Sequence, residues 1–463
     1  MNEVITRSRP AKVAPGERLR VAVIGTGHVG LITCTSLAAV GHDVVGNDAD
    51  RDKIDLLTSG RMPFYEPDVA ELLDVCLADG RLRFTGDTSD AVSGADVVFI
   101  CVGTPPRASG KANLVAVEQA ARQVARAATG PLVIAEKSTV PAGTAERVQR
   151  TLWLERPELA ASIDVVSNPE FLREGRALED SLEPDRILVG ASTQRAFDVM
   201  QRLYRPFVER GVRLIETNIA TAELAKHACN VFLAMKISYA NALARICERA
   251  DGDVTAIVEV MGADPRIGPE FLGAGLGYGG YCFPKDLVAF ERLAADLGYE
   301  LPLLSAVAKI NDDAVDAALH KLRDALWNLE DKRVALLGLA FKPGTDDVRF
   351  SPALALAQNL LEEGATVVGY DPYAAANAVR ECPGLELADD PYDAARGAHC
   401  VVLSTGWPEF RELDLAKMAE IVSFPILVDA RNFLEPEEVV SAGFTHYQMG
   451  RPTIHPPPRH ERG

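Results

Sequence analysis

A nucleophile and the residue types that can activate one occur together in a single run, Gly277-Tyr278-Gly279-Gly280-Tyr281-Cys282-Phe283-Pro284-Lys285-Asp286. Its three glycines allow the backbone to approach another backbone or a ligand closely. A thiol in such a turn, beside a lysine, can have a lowered pKa and act in covalent catalysis. A passive cysteine in a tight loop is the competing interpretation. The loop alone does not decide between the two, so the other polar groups of the chain must.

Three further segments carry polar groups that can converge with this loop. They are residues 168–174 (Asn-Pro-Glu-Phe-Leu-Arg-Glu), the pair Lys226 and Asn230, and Arg349. Lys226 and Asn230 are four residues apart and therefore share one helix face. Taken alone, that pair indicates a solvated face, and the two glutamates of the first segment indicate a helix first turn stabilised by the macrodipole. Their occurrence alongside Cys282 favours a catalytic site instead.

The elements that must position these groups begin with a dinucleotide-binding pattern near the start of the chain. An apolar strand, Arg20–Ile24, runs into the motif Gly25-Thr26-Gly27-His28-Val29-Gly30, and Asp48 follows Gly30 by eighteen residues. Gly25 allows the tight turn, Gly27 lets the diphosphate approach the backbone, and Gly30 lets the helix pack closely on the sheet. Asp48 is expected to accept hydrogen bonds from the adenosine ribose, which favours NAD over NADP.

Four more residues are placed around this predicted cofactor site. Thr104 and Thr139 each follow an apolar strand, and the carboxyl ends of parallel strands line the ligand crevice. A structural role in the turn is the alternative for either threonine alone. Lys53 contacts a phosphate or is simply solvated, and His28, at a variable position of the glycine motif, is expected to be incidental.

The same strand pattern returns in the last third of the chain. Residues 333–341, 364–371 and 397–406 parallel residues 20–27, 41–48 and 94–103. The repeat predicts a second doubly wound α/β unit. Its glycine motif is replaced by Phe341-Lys342-Pro343-Gly344-Thr345, which suggests a different nucleotide ligand with Lys342 as a phosphate contact.

A long helix without internal glycine or proline is predicted over residues 221–251, with Thr221 as N-cap. The predicted fold class is α/β, with two doubly wound Rossmann-like domains joined by a long central helix in an all-helical middle domain. The predicted boundaries are 19–212 for the NAD-binding domain, 213–318 for the helical domain that carries the cysteine loop, and 319–450 for the second Rossmann-like domain. Residues 1–18 and 451–463 are predicted to be a disordered extension and a disordered tail.

Composition narrows the functional class. The 463 residues are 48% hydrophobic and 25% charged, as in an ordinary globular enzyme, and the net charge of -18 argues against a non-specific nucleic-acid binder. The eight cysteines form no C-x-x-C pair, which predicts no metal site and fits a reducing compartment. The sequence shows neither a membrane-length apolar run nor a signal-peptide pattern, so a cytoplasmic protein without membrane insertion is expected.

Together these segments resemble the nucleotide-sugar 6-dehydrogenase family, the UDP-glucose and GDP-mannose dehydrogenases, over roughly residues 19–450. The most specific pieces are residues 168–174, 277–286 and 341–349. The resemblance implies a two-step, four-electron oxidation of a sugar C6 alcohol to a carboxylate with two NAD. A cysteine thiolate can trap the intermediate aldehyde as a thiohemiacetal, which a second oxidation converts to a thioester for hydrolysis.

This chemistry gives each polar group a role. Cys282 fits the nucleophile, and Lys226 and Asn230 fit donors to a developing alkoxide. Asp286 and Glu170 are candidates to position or activate water. The resemblance further implies that Asp286 pairs with Lys226 and a water, and that Glu170 is the base for hydrolysis.

The remaining cofactor contacts, and most of the substrate contacts, are implied only by the resemblance. Thr139 is expected to hold a catalytic water, Glu174 to lie near the nicotinamide ribose, and Lys285 and Arg349 to contact NAD. Arg266 is expected to reach the substrate of a partner subunit, in a homodimer formed through the central helix. The other expected substrate contacts are Glu170, Phe171, Leu172, Lys226, Asn230, Phe271, Leu272, Gly273, Ala274, Gly275, Gly279, Lys342 and Arg431.

The loop before the cysteine also suggests the sugar. Residues 271–282 look most like those of UDP-glucose dehydrogenases, whereas relatives that act on N-acetylated UDP-sugars usually carry a histidine before the cysteine. GDP-mannose and UDP-galactose are the alternative substrates. A catalytically silent nucleotide-sugar sensor is an alternative from a different class. The complete set of Cys282, Lys226, Asn230 and Asp286 argues against a silent protein.

Overall fold

The computed structural model describes residues 13–457, and their contacts divide the chain into two compact units. The first contains the described residues up to Cys229 together with Val288–Gly298. The second contains Asn230–Leu287 and the described chain from Tyr299 onward.

The first unit is built on eight strands. They are β1 (Arg20–Ile24), β2 (Asp43–Asn47), β3 (Leu82–Thr85), β4 (Val97–Ile100), β5 (Leu132–Glu136), β6 (Ile163–Ser167), β7 (Arg186–Gly190) and β8 (Arg213–Thr217). They form one sheet in the order β3-β2-β1-β4-β5-β6-β7-β8, parallel except where β6 meets β7. The first six strands have the order of a doubly wound dinucleotide fold.

Helices cover both faces of this sheet. They are α1 (His28–Ala39), α2 (Arg51–Thr58), α3 (Val69–Ala78), α4 (Thr88–Val92), α5 (Val115–Ala127), α6 (Thr144–Glu155), α7 (Ala177–Leu182) and α8 (Gln194–Val208). Successive side chains of a strand point to opposite faces, so each buried strand serves two cores. Val21 and Val23 of β1 join a cluster that includes α1, whereas Ala22 and Ile24 join a cluster that includes α5.

Only helices and loops lie between β8 and residue 333, a stretch that the structure describes completely. The helices are α9 (Ile219–Ala250), α10 (Val254–Gly262), α11 (Cys282–Asp296) and α12 (Pro302–Leu326). The backbone N–H of Thr221 donates to Oδ1 of Asn218 at 2.8 Å, so the predicted capping role of Thr221 is wrong and Asn218 caps α9. Neither the 32-residue α9 nor any other helix within residues 13–457 is long and apolar enough to cross a bilayer.

The second unit contains a six-stranded parallel sheet. Its strands are β9 (Arg333–Leu337), β10 (Thr366–Tyr370), β11 (Glu386–Leu387), β12 (Cys400–Leu403), β13 (Ile426–Asp429) and β14 (Thr445–Gln448), and its helices are α13 (Pro352–Glu362), α14 (Ala375–Glu381), α15 (Pro391–Ala395), α16 (Leu415–Ile421) and α17 (Pro436–Ser441). The strand order β11-β10-β9-β12-β13-β14 repeats that of β1 to β6. The predicted fold class, including the second Rossmann-like domain and the helical middle region, is therefore confirmed.

The predicted disorder of residues 1–18 and 451–463 falls partly on residues outside the described range. The described portions make contacts with their own units. The N–H of Val13 donates to the carbonyl oxygen of Val40 at 2.9 Å, and the N–H of Ile454 donates to that of His446 at 3.0 Å.

Candidate active site

The three positions of the first strand–helix turn hold glycine for different structural reasons. Gly25 has φ +94°, and a Cβ there would lie 2.6 Å from the carbonyl oxygen of Cys101. A Cβ at Gly30 would lie 1.8 Å from the carbonyl oxygen of Gly25, so only glycine allows this close packing of α1. A Cβ at Gly27, by contrast, would meet nothing within 4 Å. This open space at the N-terminus of α1 fits the diphosphate of a dinucleotide.

Asp48 lies just after β2 and is held by its neighbours. Its Oδ2 accepts hydrogen bonds from the Thr26 N–H at 2.9 Å and from Lys53 Nζ at 2.9 Å, and its Oδ1 accepts one from the Asp50 N–H at 3.1 Å. Burial raises the pKa of the Asp48 carboxyl, but these hydrogen bonds outweigh burial and hold the pKa below its usual value. A charged acceptor is therefore available to the ribose at neutral pH. Lys53 is therefore paired and not simply solvated, and its predicted contact with a phosphate stays a prediction.

The corresponding acid of the second sheet has a different environment. Asp371 follows β10 as Asp48 follows β2, but it is only 3% exposed. Its two carboxylate oxygens accept hydrogen bonds from five N–H groups, those of Leu339, Ala340, Tyr373, Ala374 and the Trp407 indole. Asp371 therefore accepts its hydrogen bonds from neighbouring loops of its own sheet. This explains why the repeated strand pattern does not create a second ribose site of the same kind.

Thr104 and Thr139 lie close together at the carboxyl ends of β4 and β5. Oγ1 of Thr104 donates to the carbonyl oxygen of Thr139 at 3.0 Å. Thr104 is buried, whereas Thr139 is half-buried. The hydrogen bond supports the structural alternative for Thr104, and the predicted roles of both threonines toward cofactor and water stay predictions.

Lys226 and Glu170 form a buried ion pair in the first unit. Lys226 Nζ lies 2.9 Å from Glu170 Oε1, and Glu170 Oε2 accepts a hydrogen bond from the Leu172 N–H at 2.6 Å. The ring of Phe171 lies under the cation, with Nζ 5.4 Å from its centroid. Lys226 is only 3% exposed, so the alternative of a solvated helix face is wrong for this residue.

The glutamates of residues 168–174 lie in the loop between β6 and α7. The alternative of a helix first turn is therefore wrong for both of them. Glu174 is half-buried, and its charge acts on His28. His28, expected to be incidental to the glycine motif, has a carboxylate partner, because its Nε2 lies 2.7 Å from Oε2 of Glu66. Glu66 could not be recognised as a partner of His28 from local sequence pattern, since the two residues are 38 positions apart.

Cys282 is the first residue of α11, and Asp286 follows one turn later on the same helix. Asp286 is 1% exposed. Its Oδ2 accepts a hydrogen bond from Asn230 Nδ2 at 2.6 Å, and its Oδ1 lies 2.6 Å from Lys285 Nζ. A helix N-terminus stabilises negative charge, which favours the thiolate form that a nucleophilic cysteine needs. Four of the predicted site residues thus come together in the second unit.

The glycine-rich loop before Cys282 is fixed from two sides. The side chain of Asn311 on α12 accepts a hydrogen bond from the Tyr278 N–H at 2.8 Å and donates to the Tyr278 carbonyl oxygen at 3.1 Å. A Cβ at Gly279 would lie 2.3 Å from the carbonyl oxygen of Phe350, so glycine is required by close backbone contact. Sequence analysis missed Asn311, whose only signal was an amide in the middle of a helix.

Two exposed arginines predicted to contact ligands pair with nearby acids. The Arg349 guanidinium lies 2.6 Å from Asp347 and 4.6 Å from the centroid of the Tyr281 ring. Arg266 lies 2.5 Å from Asp264, and its side chain is 87% exposed. Both cations are accessible, and their predicted roles toward NAD and a partner's substrate stay predictions.

Arg431 is half-buried and donates to backbone carbonyl oxygens. Its three nitrogens bond Ser404 at 2.7 Å, Gly277 at 3.0 Å and Phe341 at 3.4 Å. Burial lowers the pKa of the guanidinium to about 10, and the charge of Asp429 opposes this change. Arg431 therefore ties the cysteine loop to the loops of the second sheet, a structural role that the prediction of a substrate contact did not include.

The other predicted substrate contacts lie in the same unit. They are Phe271, Leu272, Gly273, Ala274, Gly275 and Lys342. A Cβ at Gly275 would lie 2.6 Å from the carbonyl oxygen of Ala430, so the loop packs backbone against backbone there. Lys342 Nζ lies 5.4 Å from the centroid of the Phe341 ring.

Comparison with known proteins supplies the family. Residues 19–208, 220–313 and 335–436 match the NAD-binding, central and UDP-binding domains of the UDP-glucose/GDP-mannose dehydrogenase family. A UDP-glucose 6-dehydrogenase from Rhizobium meliloti is 44% identical over 94% of this chain and 100% of its own length. One from Bacillus subtilis is 39% identical over 94% of each chain. The solved UDP-glucose dehydrogenase from the archaeon Pyrobaculum islandicum is 38% identical, with a TM-score of 0.88 over 95% of this chain and 100% of its own.

The fold, the open cradle at Gly27 and the charged Asp48 define an NAD-dependent oxidoreductase with two Rossmann-like domains. The chain belongs to the UDP-glucose/GDP-mannose dehydrogenase family, and NAD is its cofactor.

Proposed function

We propose that this protein converts UDP-glucose, two NAD and one water into UDP-glucuronate, two NADH and three protons. The observation that carries this proposal is Cys282 at the start of α11, with Asp286 one turn later and held by Asn230 and Lys285. Oxidation of an aldehyde through a thioester requires a nucleophilic thiol and side chains that assist it, whereas a simple alcohol dehydrogenase requires no such nucleophile. The names of the relatives support UDP-glucose as the sugar.

When bound at the first glycine turn, NAD would supply the hydride acceptor for each of the two oxidations. The side chains of Lys226 and Asn230 stabilise the alkoxide that develops at C6 as the alcohol loses its proton. The Cys282 thiolate then forms a C–S bond to the aldehyde carbon, which gives a thiohemiacetal and, after the second oxidation, a thioester.

Water cleaves the C–S bond of the thioester and returns the thiol. Glu170 takes the proton of this water as general base, with Thr139 and Asp286 positioning water near the thioester carbon. The buried ion pair with Lys226 supports the assignment of Glu170, because it places this side chain beside a proposed alkoxide donor in a site with little solvent.

The remaining predicted contacts complete the proposal. The proposed NAD contacts within a domain of residues 19–212 are Gly25, Gly27, Gly30, Asp48, Lys53, Thr104 and Glu174, and those outside this domain are Lys285 and Arg349. Residues 319–450 bind the uridine diphosphate and 213–318 carry the cysteine loop. A cytoplasmic location belongs to the proposal, and it is supported by eight cysteines, all within the described residues, that form no disulfide.

A homodimer through the central helix is the proposed assembly. Phe232, Tyr239 and Ile246 of α9 recur every seven residues, and they are 56%, 54% and 59% exposed. Large apolar side chains at heptad spacing form one stripe on a helix, and such a stripe is stabilised when a second helix covers it. Sedimentation of the wild-type protein and of Tyr239→Lys tests this assembly: a dimer that becomes a monomer supports it, and a wild-type monomer contradicts it.

The proposed reaction is tested by NADH formation with purified protein, NAD and a panel of nucleotide sugars. Two NADH per UDP-glucose, with UDP-glucuronate as product, is the expected result. Two NADH per GDP-mannose or UDP-galactose would keep the mechanism and change the substrate. Binding of a nucleotide sugar without NADH from any of them would identify the silent sensor. Cys282→Ser is expected to abolish uronate formation, and full activity of this variant would exclude the thioester.

A further inference from the structure

His28 occupies a position where its charge can influence the cofactor. It is the first residue of α1, directly after Gly27 of the glycine-rich loop. Its imidazole packs on the ring of Phe64, with centroids 5.0 Å apart, and its side chain is 20% exposed. Nε2 lies 2.7 Å from Oε2 of Glu66. A histidine thus stands with a fixed carboxylate partner at the helix end that receives the dinucleotide diphosphate.

Glu66 is connected to the predicted catalytic segment as well as to the cofactor loop. Its side chain is 0% exposed. Besides His28, the carboxylate accepts hydrogen bonds from the N–H of Gly175 and the N–H of Ala177, both at 2.8 Å. Gly175 follows directly after Glu174, and Ala177 is the first residue of α7. A single buried carboxylate therefore fixes the start of α1 and the end of the 168–174 segment, and a buried carboxylate is stable only with such partners.

We propose that Glu66 is a positioning residue which holds His28 as an imidazolium at the N-terminus of α1, and that this charge makes NAD bind more tightly to the protonated protein. The diphosphate brings two negative charges to a helix end that already favours anions. An imidazolium there adds attraction to the diphosphate, whereas a neutral imidazole does not.

The electrostatic surroundings of His28 support this proposal. Burial lowers the pKa of His28, but the hydrogen bond with Glu66 and the charges of Glu174, Glu66 and Glu170 outweigh it, so the pKa lies above the usual value. These three carboxylates act on the imidazole from other segments of the first unit, and all of them favour its charged form. The imidazolium is present below the raised pKa, so NAD affinity is expected to fall as the pH rises through it.

The inference depends on the NAD site and not on the thioester scheme. Its test therefore measures NAD binding directly. The dissociation constant of NAD is determined by titration calorimetry between about pH 5.5 and about pH 9 for the wild-type protein, His28→Gln and His320→Gln. His320 is an exposed histidine of α12 and serves as the matched control.

The wild-type protein and the His320→Gln control are expected to bind NAD ~5-fold more weakly at high pH than at low pH, a typical coupling between two binding events. His28→Gln, which keeps a neutral hydrogen-bond donor for Glu66, is expected to bind with the weak affinity at every pH. If His28→Gln retained the pH profile of the wild-type protein, the proposal would be wrong, whether or not UDP-glucose is a substrate.

A separate measurement, the pKa of His28 by NMR, tests the role of Glu66. The Cε1–H resonance of His28, assigned by its loss in His28→Gln, reports the pKa of the imidazole by NMR titration. We expect NAD to raise this pKa and Glu66→Gln to lower it, an effect that a purely structural role for Glu66 does not produce. If Glu66→Gln does not fold, the wild-type titrations with and without NAD decide: a pKa that NAD leaves unchanged overturns the proposal.

Discussion

Lys226 Nζ and Glu170 Oε1 lie 2.9 Å apart, with side chains only 4% and 7% exposed. Such a pair contributes little to stability as a whole, because both charges have lost their water. Removal of one partner leaves the other charged and buried, which is far more costly than the loss of the pair. The proposed functions of the two residues, an alkoxide donor and a base for water, both depend on this charged state.

The first prediction separates the loss of one partner of this ion pair from the loss of both. Lys226→Ala is expected to lower the free energy of unfolding by ~3–5 kcal/mol, because the Glu170 carboxylate loses its counter-charge. The double variant Lys226→Ala/Glu170→Gln is expected to recover part of this loss in urea denaturation. Both variants are expected to lose activity by ~100-fold or more, as for removal of an oxyanion donor. Full additivity of the two substitutions in stability would contradict a coupled pair.

Asp48 and Asp371, which follow corresponding strands of the two sheets, provide a second prediction, which concerns the choice between NAD and NADP. Asp48→Ser is expected to fold normally and to lose much of the preference for NAD over NADP, because the carboxylate no longer repels a 2′-phosphate. Asp371→Ser is expected to leave that preference unchanged and to reduce stability, because five N–H groups lose their acceptor. Steady-state kinetics with both cofactors and thermal unfolding of both variants make the comparison. Equal use of NAD and NADP by the wild-type protein would refute the role of Asp48.

The contrast between these two acids shows what a sequence can predict. Strand, glycine turn and acid occur within a short span, so the dinucleotide site at Gly27 and the repeat of the sheet could be recognised from local pattern. The five donors around Asp371 come from separate loops, and their convergence is a property of the folded chain. The same holds for Arg431, whose acceptors include Gly277, 154 residues away. The family resemblance implied a substrate contact for Arg431, and the tertiary structure adds a structural role.

Glu136 at the end of β5 leads to a third prediction. Burial, with a smaller contribution from the charge of Glu223, raises the pKa of Glu136 to about 8, although hydrogen bonds from Ser138 oppose this change. Between the ordinary value of 4.5 and about 8, the native state holds a proton that the unfolded state has lost. The stability of the native state should therefore fall as the pH rises through this window, by at most ~1.4 kcal/mol per pH unit.

Glu136→Gln removes this titration and keeps the shape of the side chain. The variant is expected to gain in melting temperature relative to the wild-type protein as the pH rises from about 5 to about 8, and then to level off. Glu71→Gln, at an exposed position of α3, is the control and should follow the wild-type curve. Parallel curves for Glu136→Gln and the wild-type protein would mean that Glu136 titrates normally in the folded chain.

Gly27 and Gly30 of the first turn provide the last prediction, because the protein leaves room for a side chain at Gly27 and none at Gly30. Gly27 has φ -71°, which any residue adopts, and a Cβ there meets no protein atom within 4 Å. Gly27→Ala should therefore fold with an unchanged melting temperature. Its methyl group would occupy the space expected for the diphosphate, so NAD should bind ~10-fold more weakly or worse, a cost of about 1.4 kcal/mol.

Gly30→Ala places its Cβ 1.8 Å from the carbonyl oxygen of Gly25, a distance that no side-chain rotation can relieve. The start of α1 must shift away from the sheet, so this variant is expected to lose several kcal/mol of stability, as in other overpacked cores. Melting temperature and NAD affinity, measured for both variants, give two independent values for each glycine. If Gly27→Ala were the less stable variant, the space over Gly27 would not be open, and if it bound NAD as tightly as the wild-type protein, the diphosphate would not lie over Gly27. The cofactor site would then have to be sought elsewhere along the carboxyl edge of the sheet.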